Sequence, residues 1–298
     1  MRSFEYLRPA SLEEACAALA AAGDQGAADG PVKALAGGTD LIVQMKQGGL
    51  RPRALVSLQN VPGLSYVRLT DDGGLAIGAA TALAAVEDST VVRESFPAVG
   101  EAASCIGSVQ VRSRATVGGN LCNAAPSADM APILIAHGVE AVITDGRAER
   151  SLLLEDFFTG PGETVLRRGE LLAALRIPPA PPRSYAKYHK TFRSAMDCCT
   201  VGVAVFAVFS PDGAVGDARL ALGAVAPTPI RAREAEKSVI GRRLGDDVIA
   251  DAGARAAAEA LPISDVRASA SYRKTLVEVL TKRALRGARA WAEKGASS

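Results

Sequence analysis

Two short segments carry residue types suited to holding an anion: Gly37-Gly38-Thr39-Asp40 and Gly118-Gly119-Asn120. Glycines lack Cβ atoms, so their backbone N–H groups can come close to a ligand. Successive N–H groups in a turn form a concavity that attracts negative charge. Thr39 and Asn120 add side-chain donors. One such segment reads equally well as an ordinary turn. Two of them, each expected beside a strand, could grip a pyrophosphate from both sides.

Other phosphate and nucleophile motifs are missing. The chain has no G-x-x-x-x-G-K-[ST] loop, no G-x-G-x-x-G after a strand and no G-x-S-x-G elbow. Only two histidines occur, His137 and His189. His137 reads as a helix C-terminal residue and His189 as a surface one. The five cysteines, Cys16, Cys105, Cys122, Cys198 and Cys199, form no C-x-x-C pair. Their odd number and irregular spacing speak against a disulfide framework or a zinc site.

The elements that must position these segments follow from pattern. Ser11-Leu12-Glu13-Glu14 is a capping box, with Leu12, Ala15, Leu19 and Ala22 at helical spacing and Gly23 ending the pattern. A strand over Val32 to Leu35 runs into the first glycine segment, and Leu41 to Lys46 reads as a helix. Ala54 to Leu58 reads as a strand. Val67–Leu69 and Leu75–Ile77 flank Asp71-Asp72-Gly73-Gly74 as a hairpin. Helices are expected over 82–87 and 97–104, then a second glycine turn, then a helix over 128–136 capped by Ser127. Val139 to Ile143 is a strand. Four prolines in Pro178–Pro182 make a stiff extended link. Beyond it, Val201 to Phe209 reads as a buried strand with Ala218 to Val225 as its partner, followed by helices near 230–240, 246–260 and 271–293. The expected organisation is a mixed α/β domain over 1–177 and a smaller α+β domain over 183–298.

Composition narrows the partners. The chain has 298 residues, 34 basic and 32 acidic, so no long-range attraction to nucleic acid is implied. Aromatic residues are only 4%, which argues against base-stacking surfaces. The longest apolar run, Val201 to Phe209, falls far short of the ~20 residues of a membrane span. The N-terminal residues have no apolar signal core, and a cytoplasmic location is the expectation.

Longer segments around the glycines carry a family resemblance. Leu35-Ala36-Gly37-Gly38-Thr39-Asp40-Leu41, with Gln44-Met45-Lys46 after it, resembles the first flavin loop of the FAD-binding medium subunits of molybdenum hydroxylases, the carbon monoxide dehydrogenase and xanthine dehydrogenase type. Val111 to Leu121 is similar to the second loop, and Asn123 to Asp129 continues the match. Glu170-Leu171-Leu172 with Ile177-Pro178 resembles the end of the flavin domain. Ala224 to Ala232 and Ser271-Tyr272-Arg273 resemble the C-terminal domain.

The resemblance implies an FAD-binding domain of the vanillyl-alcohol-oxidase (PCMH) type, followed by an antiparallel sheet with helices. It implies non-covalent FAD, with Leu35, Ala36, Gly37, Gly38, Thr39, Asp40 and Leu41 at the pyrophosphate. Thr116, Gly118, Gly119 and Asn120 would complete the cradle, joined by Asn123. Asp129 would make a polar contact; it reads otherwise as a first-turn helix acid. Leu172 would pack on the cofactor or simply in the core. Lys187 would sit beside the flavin or be a solvated surface lysine. Cys198 falls where the family has an apolar or aromatic residue near the flavin and reads as a small packing residue.

The resemblance further implies a molybdenum-binding large subunit and a small subunit with [2Fe-2S] clusters, assembled as a dimer of heterotrimers. The chain itself would bind no metal, because no cysteine-bearing insertion follows Asp129. An enzyme that activates its own substrate needs an acid, base or metal. None stands out here, which suits a subunit that relays electrons through a cofactor. The alternatives are a stand-alone FAD-dependent oxidoreductase, a non-enzymatic interaction module on the same fold and, from basic residues such as Arg273, Arg283 and Arg286, a nucleic-acid binder. A basic run is more simply a solvated or partner-facing helix face.

Overall fold

A computed structural model describes residues 3–21, 30–194 and 196–295. The expected stop at Gly23 lies outside the described residues.

Three parallel strands open the chain: β1 (Glu5–Leu7), β2 (Val32–Leu35) and β3 (Ala54–Ser57), in the order β1-β3-β2. Helices α1 (Leu12–Ala20) and α2 (Leu41–Lys46) connect them. The capping box holds at its first half: the Ser11 hydroxyl accepts from the Glu14 N–H at 3.1 Å. The Glu14 carboxylate reaches back one residue further than expected, to the Ala10 N–H at 2.8 Å.

An antiparallel sheet follows, built from β4 (Val67–Leu69), β5 (Leu75–Gly78), β6 (Glu140–Thr144), β7 (Glu149–Leu153) and β10 (Leu171–Ile177), in the order β4-β5-β10-β6-β7. The short strands β8 (Phe158–Gly160) and β9 (Glu163–Thr164) pair with each other. Six helices run between β5 and β6: α3 (Leu83–Asp88), α4 (Thr90–Ser95), α5 (Pro97–Ser104), α6 (Val109–Arg112), α7 (Val117–Cys122) and α8 (Met130–Ala136). Their apolar residues, among them Leu83, Val99, Leu121, Ile133 and Leu134, form one core with Phe96 between α4 and α5 and with Leu75, Ile77, Ala141 and Leu175 of the sheet.

The last sheet is antiparallel in the order β11-β12-β13-β14: β11 (Ser184–Thr191), β12 (Val201–Phe209), β13 (Val215–Gly223) and β14 (Ile230–Arg231). Helices α9 (Arg233–Val239), α10 (Asp246–Glu259) and α11 (Ala270–Gly295) cover one face. Strand β12 explains its own unbroken apolar run. Side chains alternate across a strand. Ala204 and Phe206 enter the core of the preceding helices, whereas Val203, Val205 and Ala207 enter the core beneath α9–α11. A strand covered on both faces is apolar throughout.

The two parts of the chain are locked by polar contacts as well. The Ala224 N–H donates to the Pro126 carbonyl at 2.7 Å. Glu155 pairs with Arg233 at 2.7 Å and Arg231 at 3.5 Å.

Two local expectations are corrected. The second glycine segment is not a turn but the first turn of α7, with Thr116 as its N-cap. The helix expected over 128–136 starts at Met130, capped in position by Asp129 rather than Ser127. Asp129 gives no side-chain cap, because its carboxylate is engaged elsewhere, and Asn120 Oδ1 accepts from the Met130 N–H at 3.3 Å.

Candidate functional site

Residues 36–40 link β2 to α2. Leu35 ends the strand, where its carbonyl accepts from the Leu58 N–H at 2.9 Å, and Leu41 opens the helix. Gly38 sits at φ +75°, in the left-handed region that a side chain disfavours. Gly37 is needed for a different reason. A Cβ there would lie 2.0 Å from the Arg114 carbonyl oxygen and 2.8 Å from Ala115 Cα. The first glycine segment thus lies against the Arg114-Ala115 backbone, which leads into the second glycine segment.

The first segment presents free donors. Within it the Gly38 and Asp40 carbonyls accept from Ile42 and Gln44, both at 3.0 Å. The N–H groups of Gly37, Gly38, Thr39, Asp40 and Leu41 donate to no acceptor among the described residues. Asp40 occupies the α2 N-cap without a side-chain cap, so its carboxylate leaves those donors open. Five successive free N–H groups make the concavity that an anion needs.

The second segment spends its donors internally. Val117 N–H bonds the Thr81 carbonyl at 3.0 Å, Gly118 N–H the Ala79 carbonyl at 2.8 Å and Asn120 N–H the Thr116 carbonyl at 3.0 Å. Gly119 N–H goes to the Thr116 hydroxyl at 2.9 Å. The expectation of a second set of free N–H groups is therefore corrected. Gly118 is a glycine because the chain leaving β5 passes against it: a Cβ would lie 2.6 Å from the Ala79 oxygen. What this segment offers a ligand is side chains. Asn120 Oδ1 is taken by Met130, and its Nδ2–H group has no acceptor among the described residues. Asn123 caps the end of α7, its N–H on the Gly119 carbonyl at 3.0 Å, with a half-buried side chain.

Beside Asn120 lies a buried polar cluster. Asp129 Oδ1 accepts from the Tyr188 hydroxyl at 2.8 Å, and Oδ2 accepts from Lys190 Nζ at 2.9 Å. Lys190 Nζ also donates to the Cys105 carbonyl at 2.9 Å. The Tyr188 oxygen is 3.7 Å from Cys199 Sγ. The side chains of Lys190 and Asp129 are only 2% and 7% exposed. Burial pushes the Asp129 carboxyl above its ordinary range, and Lys190 and Tyr188 oppose that rise. Burial likewise raises the Tyr188 hydroxyl and the Cys199 thiol, so both stay protonated.

Lys187 is not in this cluster. It pairs with Glu101 at 2.8 Å, partly exposed, and alternation along β11 puts Tyr188 and Lys190 on different faces from Lys187 only by turns of one residue: Lys190 shares its face with Tyr188, and Lys187 does not. The lysine brought to Asp129 is Lys190, which the sequence reading missed. The Tyr188-x-Lys190 spacing on a strand was the available signal. Leu172 is buried in the first core, beside an irregularity in the β10 ladder. Cys198 is exposed and His189 half-buried. His137 is buried between Phe96 and Phe206, with burial holding its imidazole down at about 4.

The donor set suits a dinucleotide. The free N–H run fits a pyrophosphate, and the Asp129–Lys190 pair and Asn120 amide supply fixed polar contacts next to it. Among the described residues, no group of three or more His, Cys, Asp or Glu could hold a metal. No helix there is long and apolar enough to cross a membrane.

Known proteins align with the whole chain. Residues 2–180 match the family model described as the FAD binding domain in molybdopterin dehydrogenase, and residues 186–288 match the CO dehydrogenase flavoprotein C-terminal domain. A xanthine dehydrogenase FAD-binding subunit from Escherichia coli O157:H7 is 34% identical over 283 residues, 94% of this chain and 94% of its own. A glyceraldehyde dehydrogenase medium chain from Sulfolobus acidocaldarius is 33% identical, covering 95% of this chain and 97% of its own. Among solved structures, a chain of reconstituted CO dehydrogenase from Oligotropha carboxidovorans superposes with a TM-score of 0.91 at 33% identity, covering 97% of this chain and 98% of that one.

Proposed function

Since this chain belongs to the FAD-binding medium subunits of the molybdenum hydroxylase family, we propose that FAD is held, non-covalently, by its two glycine segments, the first of which lies against the backbone that leads into the second. The N–H groups of Gly37 to Leu41 would take the pyrophosphate. Leu35 and Ala36 set the strand exit that aims them. Thr116 fixes the start of α7, and Gly118 lets that helix sit against the chain leaving β5; Asn120 and Asn123 on α7 would then add side-chain contacts to the cofactor. Asp129 and Lys190 would add the buried polar contact, in place of Lys187.

When bound, FAD supplies electron exchange, so the chain serves as an electron-transfer subunit between [2Fe-2S] clusters of a small partner subunit and an external acceptor. The molybdenum cofactor belongs, in this reading, to a large partner subunit, and the assembly is a cytoplasmic dimer of heterotrimers. The relatives' names as FAD-binding subunits and medium chains support a multi-subunit enzyme. A division into a flavin domain over 1–177 and a C-terminal domain over 183–298 belongs to the same proposal. It is supported by β10 ending at Ile177 and β11 starting at Ser184.

The observation that carries this reading is the run of five free N–H groups, beginning at Gly37, which lies against the Arg114-Ala115 backbone leading into the second segment. It is tested by titrating the purified apo chain with FAD, FMN and ADP. A pyrophosphate grip predicts that FAD binds, that ADP competes and that FMN binds far more weakly. FMN binding as tightly as FAD would contradict it.

A further inference from the structure

Tyr188 has no place in the reading above, yet the fold makes room for it with care. Its hydroxyl is buried and lies between Asp129 Oδ1 at 2.8 Å and Cys199 Sγ at 3.7 Å. Across the sheet, β12 carries Gly202, where a Cβ would lie 2.6 Å from the Tyr188 hydroxyl oxygen and 3.2 Å from Cys199 Sγ. Gly202 is not at positive φ, so conformational freedom is not what a glycine serves there. Its use is space for the phenol. Tyr188 on β11 and Cys199 just before β12 thus meet at Asp129, and Gly202 on β12 leaves the space they occupy.

We infer that Tyr188 is a positioning residue for FAD binding, acting through Asp129. A carboxylate has two oxygens and rotates about its last bond. Asp129 stands at the N-cap of α8, where an unrestrained carboxylate would turn to the Ala131 N–H, since Asn120 already holds the Met130 N–H and Pro132 has none. The structure shows no such cap bond. Tyr188 takes Oδ1, which leaves Oδ2 aimed at Lys190, itself tethered to the Cys105 carbonyl. Loss of the hydroxyl frees the carboxylate to cap its own helix and lets go of Lys190. Both charged groups next to Asn120 would then lose their fixed direction. Cys199 already stands as a further hydrogen-bond partner of Asp129, but its thiol is a weak donor and cannot hold the carboxylate as the hydroxyl does. The inference rests on the reading that this region holds FAD.

The test uses the full chain and its FAD dissociation constant, read by flavin fluorescence quenching. Tyr188→Phe keeps the ring and removes only the hydroxyl. It is expected to weaken FAD binding about tenfold and, because the lost hydrogen bond also serves the buried carboxylate in the apo chain, to lower the apo unfolding midpoint modestly while the chain still folds cooperatively. Asp129→Asn weakens binding too, and the double variant is expected to be no weaker than Asp129→Asn alone, since Tyr188 acts only through Asp129. Unchanged affinity in Tyr188→Phe, or losses that multiply in the double variant, overturns the inference. Gly202→Ala gives an independent arm should Tyr188→Phe fold poorly. It pushes the hydroxyl aside in the natural background and should weaken FAD binding there, but should have little further effect in the Asp129→Asn background. Unchanged affinity in Gly202→Ala, or equal effects in both backgrounds, counts against the proposal. A natural chain that binds no FAD overturns the reading of the site itself, and this inference with it.

Discussion

Gly37→Ala probes the contact of the first glycine segment with the Arg114-Ala115 backbone by a single methyl group. The added Cβ would lie 2.0 Å from the Arg114 oxygen, 2.7 Å from its carbonyl carbon and 2.8 Å from Ala115 Cα. All three are backbone atoms, so no side chain can swing away. Non-bonded heavy atoms settle at about 3.5 Å, and the segments must therefore part by roughly 1–1.5 Å. Overpacking of this kind costs about 1–3 kcal/mol. A donor displaced by ~1 Å no longer makes a useful hydrogen bond, and each bond to a charged group contributes about 1.5–3 kcal/mol. The FAD dissociation constant should rise about 10- to 100-fold. Flavin fluorescence titration of the apo chain measures it, with thermal unfolding recorded alongside. Gly48→Ala is the control: φ is +80° there, but nothing lies within 4 Å of the new Cβ. It should cost about 1–2 kcal/mol of stability and leave FAD affinity unchanged. Natural affinity and an unchanged unfolding midpoint in Gly37→Ala would refute the reasoning.

Three other outcomes are expected. Lys190→Met leaves Asp129 buried without its counter-charge and should cost about 3–5 kcal/mol in denaturant unfolding, whereas Lys187→Met breaks a partly exposed pair and should cost under ~1 kcal/mol; equal small losses would return Lys190 to an ordinary role. Gly118→Ala should destabilise the apo chain as well as FAD binding, because its Cβ meets the Ala79 backbone at 2.6 Å rather than a ligand; lost FAD affinity with natural stability would contradict that. Buried His137 stays neutral in the fold with its pKa lowered from 6.5 to about 4, while the unfolded chain protonates below 6.5. Its contribution is therefore fully present above pH 6.5 and lost as pH falls toward 4, by at most about 3 kcal/mol. His137→Leu should flatten unfolding midpoints across that window, and its Nε2 has no partner to lose.

Much of the architecture is legible from pattern. The alternation in the 67–77 hairpin, the apolar run of β12 and the proline-rich link each report a physical constraint directly. The first glycine segment is legible too, since a strand leading into paired glycines leaves backbone donors exposed. The second was misleading, because glycine serves close packing as readily as ligand approach. Gly118 faces Ala79, and only the fold brings β5 past it. Strand β11 was missed because Ser184–Thr191 mixes charged, aromatic and hydroxyl residues without a clean apolar alternation. With the strand went its register, and with that the distinction between Lys187 and Lys190. Asp129 is named by resemblance alone, and its partners come from 59 and 61 residues downstream, beyond the reach of local spacing.

The central claim is most directly tested by the absorption spectrum of the purified chain, co-expressed with its genomic neighbours, with any released cofactor identified by chromatography. The account predicts a flavin spectrum, released FAD rather than FMN, and co-purifying molybdenum and iron from partner subunits. A folded, colourless chain that cannot be reconstituted with FAD would contradict it.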